Sequence, residues 1–306
     1  MLSKEQVDAC ARYVLDTAKH IIVTFGVRPP GSEGERKAQE FIRSELVACC
    51  DGEVRLEPFT VAPKAFMGFQ RTAALLLFAA MPCYWWMPWA AAALSILAIL
   101  VFVFEFLLYK EFLDPFFYKD ISYNVIGVRK AKGEMKRRVI VSGHADAAFE
   151  FRFNYRFSKR MIVVSRAMIV GLFFVSVSSI VFAFFGGCWG DGYHGFWFFI
   201  GILQLLCIPG LLGAFFFNNF GVVAPGANDN LSGALMAVSI ARALGAADAR
   251  LENTELVVLS AGSEEAGLRG AKAYAAKHGS ELSDVKTIFI GLDTIRDLEH
   301  MKVYNR

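Results

Sequence analysis

The stretch Val139-Ile140-Val141-Ser142-Gly143-His144-Ala145-Asp146 reads as a short buried strand that ends on a histidine and an aspartate. The same pattern returns twice. Leu256-Val257-Val258-Leu259-Ser260-Ala261-Gly262-Ser263 runs into Glu264 and Glu265, and Thr287-Ile288-Phe289-Ile290-Gly291-Leu292 runs into Asp293. Ligands of open α/β sheets collect outside the carboxyl ends of the strands, so these groups are expected to converge on one crevice. Asp229, within Gly226-Ala227-Asn228-Asp229-Asn230-Leu231-Ser232-Gly233, stands at the entrance to a helix. An imidazole with several carboxylates is a ligand set for zinc or a similar divalent metal. Each group also has a plainer alternative: Asp229 as a helix cap, Glu264 and Glu265 as an acidic first turn.

Outward from these strands, helical and extended segments alternate as in a layered α/β domain. Residues 4–25 and 33–50 read as helices, the second opened by Ser32 with Glu35 at capping-box spacing. Val54–Val61 and Ser122–Val128 are further strands, with Arg138–Ser142, Glu255–Ser260 and Thr287–Leu292 as the strands of the three motifs. Asp229–Leu244 is expected to be a helix ended by Gly245, and Ala266–His278 one ended by Gly279, with His278 as a cap or surface residue.

Two blocks interrupt this pattern. Thr72 to Tyr109 carries no charge until Glu105 and is too long for one crossing of a hydrocarbon core about 30 Å thick. Pro82 and Pro88, among Tyr84, Trp85, Trp86 and Trp89, suggest a turn at an interface, giving a hairpin over 72–87 and 89–109. The second block holds spans at about 161–185 and 196–217, joined by a Gly-rich turn with Trp189, Asp191 and His194. Arg71, Lys110, Lys119, Arg152, Arg156, Lys159, Arg160 and Arg166 flank or open the hairpins, and the short turns carry no Lys or Arg. The positive-inside rule then places the bulk of the chain in the cytoplasm. The expected division is 1–71, 110–160 and 218–306 as parts of one catalytic domain, with transmembrane hairpins at 72–109 and 161–217.

Composition agrees with a mixed protein. Of 306 residues 55% are hydrophobic and 20% charged, too apolar for a typical soluble enzyme and too charged for membrane helices alone. A net charge of +3 gives no reason to expect a nucleic-acid partner. The six cysteines show no C-x-x-C pattern, so neither a disulfide framework nor a cysteine zinc site is indicated.

His144-Ala145-Asp146, the Gly226–Gly233 segment, Ser263-Glu264-Glu265-Ala266-Gly267-Leu268-Arg269-Gly270 and Leu292-Asp293 resemble, in order, the motifs of the co-catalytic di-zinc aminopeptidase family, whose relatives include glutamate carboxypeptidases and glutaminyl cyclases. Arg28-Pro29-Pro30-Gly31-Ser32-Glu33-Gly34-Glu35 and Asn124-Val125-Ile126-Gly127 resemble its N-terminal helix entry and early strand. The match covers about 1–64, 120–148 and 222–306. The fold it implies is α/β, a mostly parallel mixed sheet flanked by helices, here with inserted transmembrane hairpins. It also implies two zinc ions, a peptide substrate and, with the hairpins, a lipid bilayer as partner at the plasma membrane. Carried over residue by residue, Asp229 would bridge both metals, His144 and Asp293 would complete one, and Glu265 would bind the other. Glu264 would act as general base, and Asp146 would orient or tune His144.

Two departures stand out. The family places the residues matching His144 and Asp229 close in sequence, whereas a hairpin separates them here, so the crossings between them must be even in number. The family's final ligand is a histidine well beyond the Asp293 motif, and His300, so near Asp293, is not assigned to that role. A fragment of a longer product is therefore expected. The resemblance leaves an aminopeptidase as the leading reading, with an inactive membrane scaffold or a glutaminyl cyclase-like enzyme as alternatives.

Overall fold

The computed structural model describes residues 4–51, 53–153, 161–186, 194–247, 249–295, 299 and 302–304. The chain forms two compact units: 1–63, 118–148 and 223–306 make the first, and 64–117 with 149–222 make the second.

The first unit is built on a five-stranded sheet. Its strands are β1 (Arg55–Val61), β2 (Asp120–Arg129), β3 (Arg137–His144), β4 (Thr254–Ala261) and β5 (Lys286–Gly291), ordered β1-β2-β4-β3-β5. β1 with β2 and β2 with β4 are antiparallel, while β4 with β3 and β3 with β5 are parallel. The sheet is therefore evenly mixed rather than mostly parallel, and all three motif strands lie in its parallel part. Helices α1 (Lys4–Phe25), α2 (Glu33–Val47), α3 (Ser232–Ala246) and α4 (Arg269–His278) accompany it. Ile21, Ile42, Leu46, Leu235 and Val238 from α1–α3 pack on Val141 and Val258, whereas Tyr274 of α4 joins Ile126, Ile140, Val257 and Leu259. The two sets alternate along the strands, as the period of two demands.

Helix boundaries depart from the sequence expectation for local reasons. α2 stops at Val47, where the Cys49 and Cys50 amides both turn back to Leu46 O. α3 starts at Ser232 rather than Asp229, because Asp229 and Asn230 are non-helical, and it runs through Gly245 to Ala246. α4 starts at Arg269, after a turn in which Gly267 and Leu268 have positive φ. His278 is neither a cap nor a surface residue. It is 2% exposed, with Nε2 2.9 Å from Glu57 and Nδ1 3.1 Å from Glu281.

Among the described residues, the second unit holds four helices long and apolar enough to cross a membrane: Ala65–Trp86, Pro88–Leu107, Met161–Phe185 and Gly195–Phe215. The first begins before the expected residue 72 and includes Arg71. That guanidinium donates to Phe215 O and Asn218 O at the end of the fourth helix, and it stacks on the Phe220 ring at 4.6 Å. Carbonyls at a helix C-terminus welcome a cation, so the charge does not end the first helix. The fourth helix is broken at Leu206–Cys207 into His194–Leu205 and Ile208–Phe215. Within the unit, Ala73, Leu77, Ala98, Leu172, Val175 and Leu211 share one cluster. The expected turn at Trp189 and Asp191 and the basic residues Arg156, Lys159 and Arg160 lie outside the described residues.

In the first unit, Val61 pairs with Asp120, and the Ala224 amide donates to Ala148 O at 2.9 Å. Each segment that leaves this unit thus returns beside its point of departure.

α3 approaches β3 through glycine. A Cβ on Gly143 would meet Ala234 N at 2.2 Å and Gly233 C at 2.4 Å, both backbone atoms that cannot rotate away. Gly143→Ala is expected to destabilise the first unit by about 3 kcal/mol, the upper end for overpacking. A lowered denaturation midpoint at unchanged m-value is the measurement that checks it.

Candidate metal centre

The parallel pairing brings the motif ends together. His144 is opposite Ala261 and Ser142 opposite Gly291, so the segments after β3, β4 and β5 all leave from one edge of the sheet. The Asp229 segment, between Gly226 and α3, reaches the same edge. His144 is 3% exposed, and Asp229 Oδ1 lies 3.3 Å from its Nε2 and Glu264 Oε2 3.6 Å from the same nitrogen. One ligand atom each from His144, Asp229 and Glu265 lie within 4.8 Å of one another. Asp293 stands outside that group of three. It is exposed, accepts from the Thr294 hydroxyl at 2.8 Å, and is close enough to Glu264 for its charge to act there.

Asp146 is wholly buried and ties two of the motifs to each other. Its Oδ1 accepts from the Glu264 amide at 3.0 Å and its Oδ2 from the Glu265 amide at 2.9 Å. Oδ1 also lies 3.2 Å from His144 Nδ1. Neither ring nitrogen of His144 has a carboxylate oxygen in hydrogen-bonding alignment, so a buried imidazole is left with two unsatisfied nitrogens in an acidic pocket. Such orphans are rare in protein interiors. Burial alone would push the imidazole pKa down, but Asp146, Asp229 and Glu264 outweigh it and raise it to about 12. The pocket is therefore strongly set to hold positive charge. Burial raises the carboxyls too, Glu264 to about 7 and Glu265 to about 8, with neighbouring carboxylates adding to the effect. One imidazole and clustered carboxylates, with an unpaired ring nitrogen facing two of them, fit a divalent cation of the zinc kind.

Asn230 fixes the Asp229 segment. Its Nδ2 donates to Leu292 O at 2.8 Å, and its Oδ1 accepts from Gly233 N at 3.0 Å and Thr294 N at 3.3 Å. One side chain thus joins the start of α3 to the Asp293 loop and holds residues 229–230 out of the helix.

Two charged residues of this neighbourhood have no part in the site as the sequence reading drew it. Arg28, fully buried, donates from Nε to Ala145 O at 2.9 Å and from Nη2 to Pro225 O at 2.8 Å and Gly226 O at 3.1 Å. It clasps the His-x-Asp segment to the loop that leads into Asp229. Burial pulls its pKa down to about 10 against the opposing pull of Asp146 and Glu35. Glu35 is 1% exposed and accepts from Ser263 N, directly before the two glutamates, at 2.6 Å. A capping-box spacing signalled Glu35, but as a helix cap and not as a neighbour of the acidic turn.

Residues 214–305 match the model of peptidase family M28. Among solved structures, the chain is similar to an aminopeptidase from Aneurinibacillus sp. strain AM-1, with 14% identity and a TM-score of 0.47 over 93% of this chain and 70% of that one. It is also similar to BSAP, a zinc aminopeptidase from Bacillus subtilis, with 15% identity and a TM-score of 0.45 over 93% and 69%. No curated protein matches the sequence.

Asp146→Asn would place an amide NH2 against one of two backbone N–H donors. Partners that orient metal ligands are worth about 10–100-fold in metal affinity, and a zinc affinity lowered by that factor is expected in competition with a chromogenic chelator.

Proposed function

We propose, starting from residues 214–305 as part of an M28-family peptidase, that this chain is a zinc-dependent metallopeptidase of aminopeptidase type that works at a membrane. The observation that carries the reading is the meeting of His144, Asp229 and Glu265 within 4.8 Å, with Glu264 beside them. Two zinc ions would be held by these groups, His144 and Asp293 sharing one with Asp229, and Glu265 sharing the other with it. When bound, zinc polarises a carbonyl oxygen and lowers the pKa of water towards about 7.

The remaining work falls to the protein. Glu264 takes the proton of the attacking water and delivers it to the departing amine. Glu264 lies beside the group that would hold zinc, and a carboxylate so placed can accept a proton from water there and release it again. Glu265, its neighbour, is committed to metal, and Asp146 fixes both residues by their amides while holding the His144 ring. The presence of a positioned base favours this reading over an inactive scaffold, which has no use for one.

The four apolar helices make the membrane the natural anchor. Because Ala148 and Ala224 are hydrogen-bonded and Val61 pairs with Asp120, each inserted segment must begin and end on one side of the bilayer. The Lys and Arg residues at the hairpin flanks make that side the cytoplasm. Reporters fused at residues 64, 120 and 225 are expected inside and one within 186–195 outside. Opposite locations for 64 and 120 would refute the hairpin.

Glu264→Gln keeps the shape of the side chain and removes the base. Hydrolysis of peptides with varied N-terminal residues is expected to fall by about 10²–10⁴-fold with zinc content retained. Absence of any hydrolysis by the zinc-supplied, unmutated protein would sink the peptidase reading.

A further inference from the structure

Glu35 sits where a helix cap should be and does something else. In a capping box the glutamate at the third helical position returns to the amide of the N-cap residue. Here the N-cap is Ser32, whose hydroxyl accepts from Glu35 N at 3.2 Å, but the Glu35 carboxylate passes over Ser32. Its Oε2 accepts from Gly31 N at 2.6 Å. Its Oε1 accepts from Ser263 N at 2.6 Å, from Ser122 Oγ at 3.0 Å and from Ser263 Oγ at 3.1 Å. A carboxylate on α2 thereby joins β2, the loop before α2 and the turn after β4.

That turn needs holding. Ser263 is fully buried with φ +49, a left-handed conformation that a residue with a Cβ keeps only when its surroundings impose it. The next two amides, Glu264 and Glu265, are held by Asp146. Three consecutive N–H groups thus end on two buried carboxylates, and the side chains they carry are aimed by that arrangement. Asp146 cannot set the turn alone, since its bonds begin one residue after the left-handed Ser263.

We propose that Glu35 is a positioning residue for the metal centre: its bonds to Ser263 and Gly31 set the turn that presents Glu264 as base and Glu265 as ligand. This rests on the roles given to those two glutamates above.

The test compares Glu35→Gln with Ser32→Ala in the full chain in detergent micelles. Ser32→Ala removes the true cap of α2 and leaves the 263–265 turn untouched. Glu35→Gln keeps the size of the side chain but turns an amide NH2 towards a backbone N–H. Two readouts are taken: zinc affinity by chelator competition, and hydrogen exchange of the segment 262–268. Glu35→Gln is expected to lose about 10–100-fold in zinc affinity, the range for outer partners of metal ligands, and to exchange faster at 262–268. Ser32→Ala is expected to melt at a lower temperature yet keep both readouts near wild type. Wild-type zinc affinity in Glu35→Gln, or equal effects in the two variants, would overturn the proposal. If the unmutated chain takes up no zinc, the metal reading fails by itself, and exchange at 262–268 still decides the role of Glu35 by the same comparison. Should Glu35→Gln not fold, Ser122→Ala removes one donor from the same carboxylate and is expected to move both readouts the same way by a smaller factor; no movement overturns the proposal.

Discussion

The placement of β3 between two parallel neighbours is the constraint from which the candidate centre follows. Parallel strands run in one direction, so β4, β3 and β5 must release their following segments at the same edge. His144, Glu264 and Asp293 lie just past or at those ends, so the sheet delivers them to one edge, and the buried carboxylates Asp146 and Glu35 then hold the turn that carries Glu264. The fourth segment, that of Asp229, is brought to the edge by the approach of α3 to β3 across Gly143. There the backbone of Gly233 and Ala234 stands where a side chain would otherwise be. Packing of one helix on one strand therefore sets the separation of His144 from Asp229.

This architecture accumulates buried charge. Arg28, Glu35 and Asp146 are each at most 1% exposed, and removing an ion from water costs several kcal/mol even after relaxation. The cost is offset by full coordination. Arg28 donates to Ala145, Gly26, Pro225 and Gly226 carbonyls, Asp146 receives two amides, and Glu35 receives the Gly31 and Ser263 amides with two hydroxyls. What the charges supply is geometry: Arg28 joins the segments of His144 and Asp229, Asp146 joins those of His144 and the two glutamates, and Glu35 ties the Ser263 turn to α2 and β2.

The sequence made the strands and the acidic cluster legible because both depend on local signals: short aliphatic runs of strand length and polar groups placed directly after them. The long apolar helices were equally visible from length and lack of charge, except at Arg71, whose charge is absorbed by carbonyls far along the chain. The errors share that origin. His278 looked like a surface residue because its partners Glu57 and Glu281 include one from the other side of the sequence. The start of α3 was placed too early because Asn230 ties Gly233 at the head of that helix to Leu292 and Thr294, distant partners that hold residues 229–230 out of it. Glu35 carried a genuine capping signal, and no local pattern could show that its carboxylate reaches Ser263 instead.

The insertions show why such a site tolerates a unit of long apolar helices in the middle of its sequence. A segment can be added to a domain at low cost only where its two ends already lie together, because the closure entropy then grows only logarithmically, by about 0.6 kcal/mol for each doubling of length. Val61 with Asp120 and Ala148 with Ala224 meet this condition. The second pair is the more demanding, since Ala148 follows Asp146 by two residues and Ala224 precedes the Pro225 and Gly226 carbonyls that Arg28 grips. The two ends of the insertion therefore lie next in sequence to the segments of Asp146 and Asp229. Arg28 stands at that point, holding Ala145 and Gly226 with one guanidinium and receiving the Ala147 amide on its own carbonyl at 2.8 Å. The group beside the closure of the insertion is thus the same one that joins the two segments carrying His144 and Asp229, and both connections run through one residue.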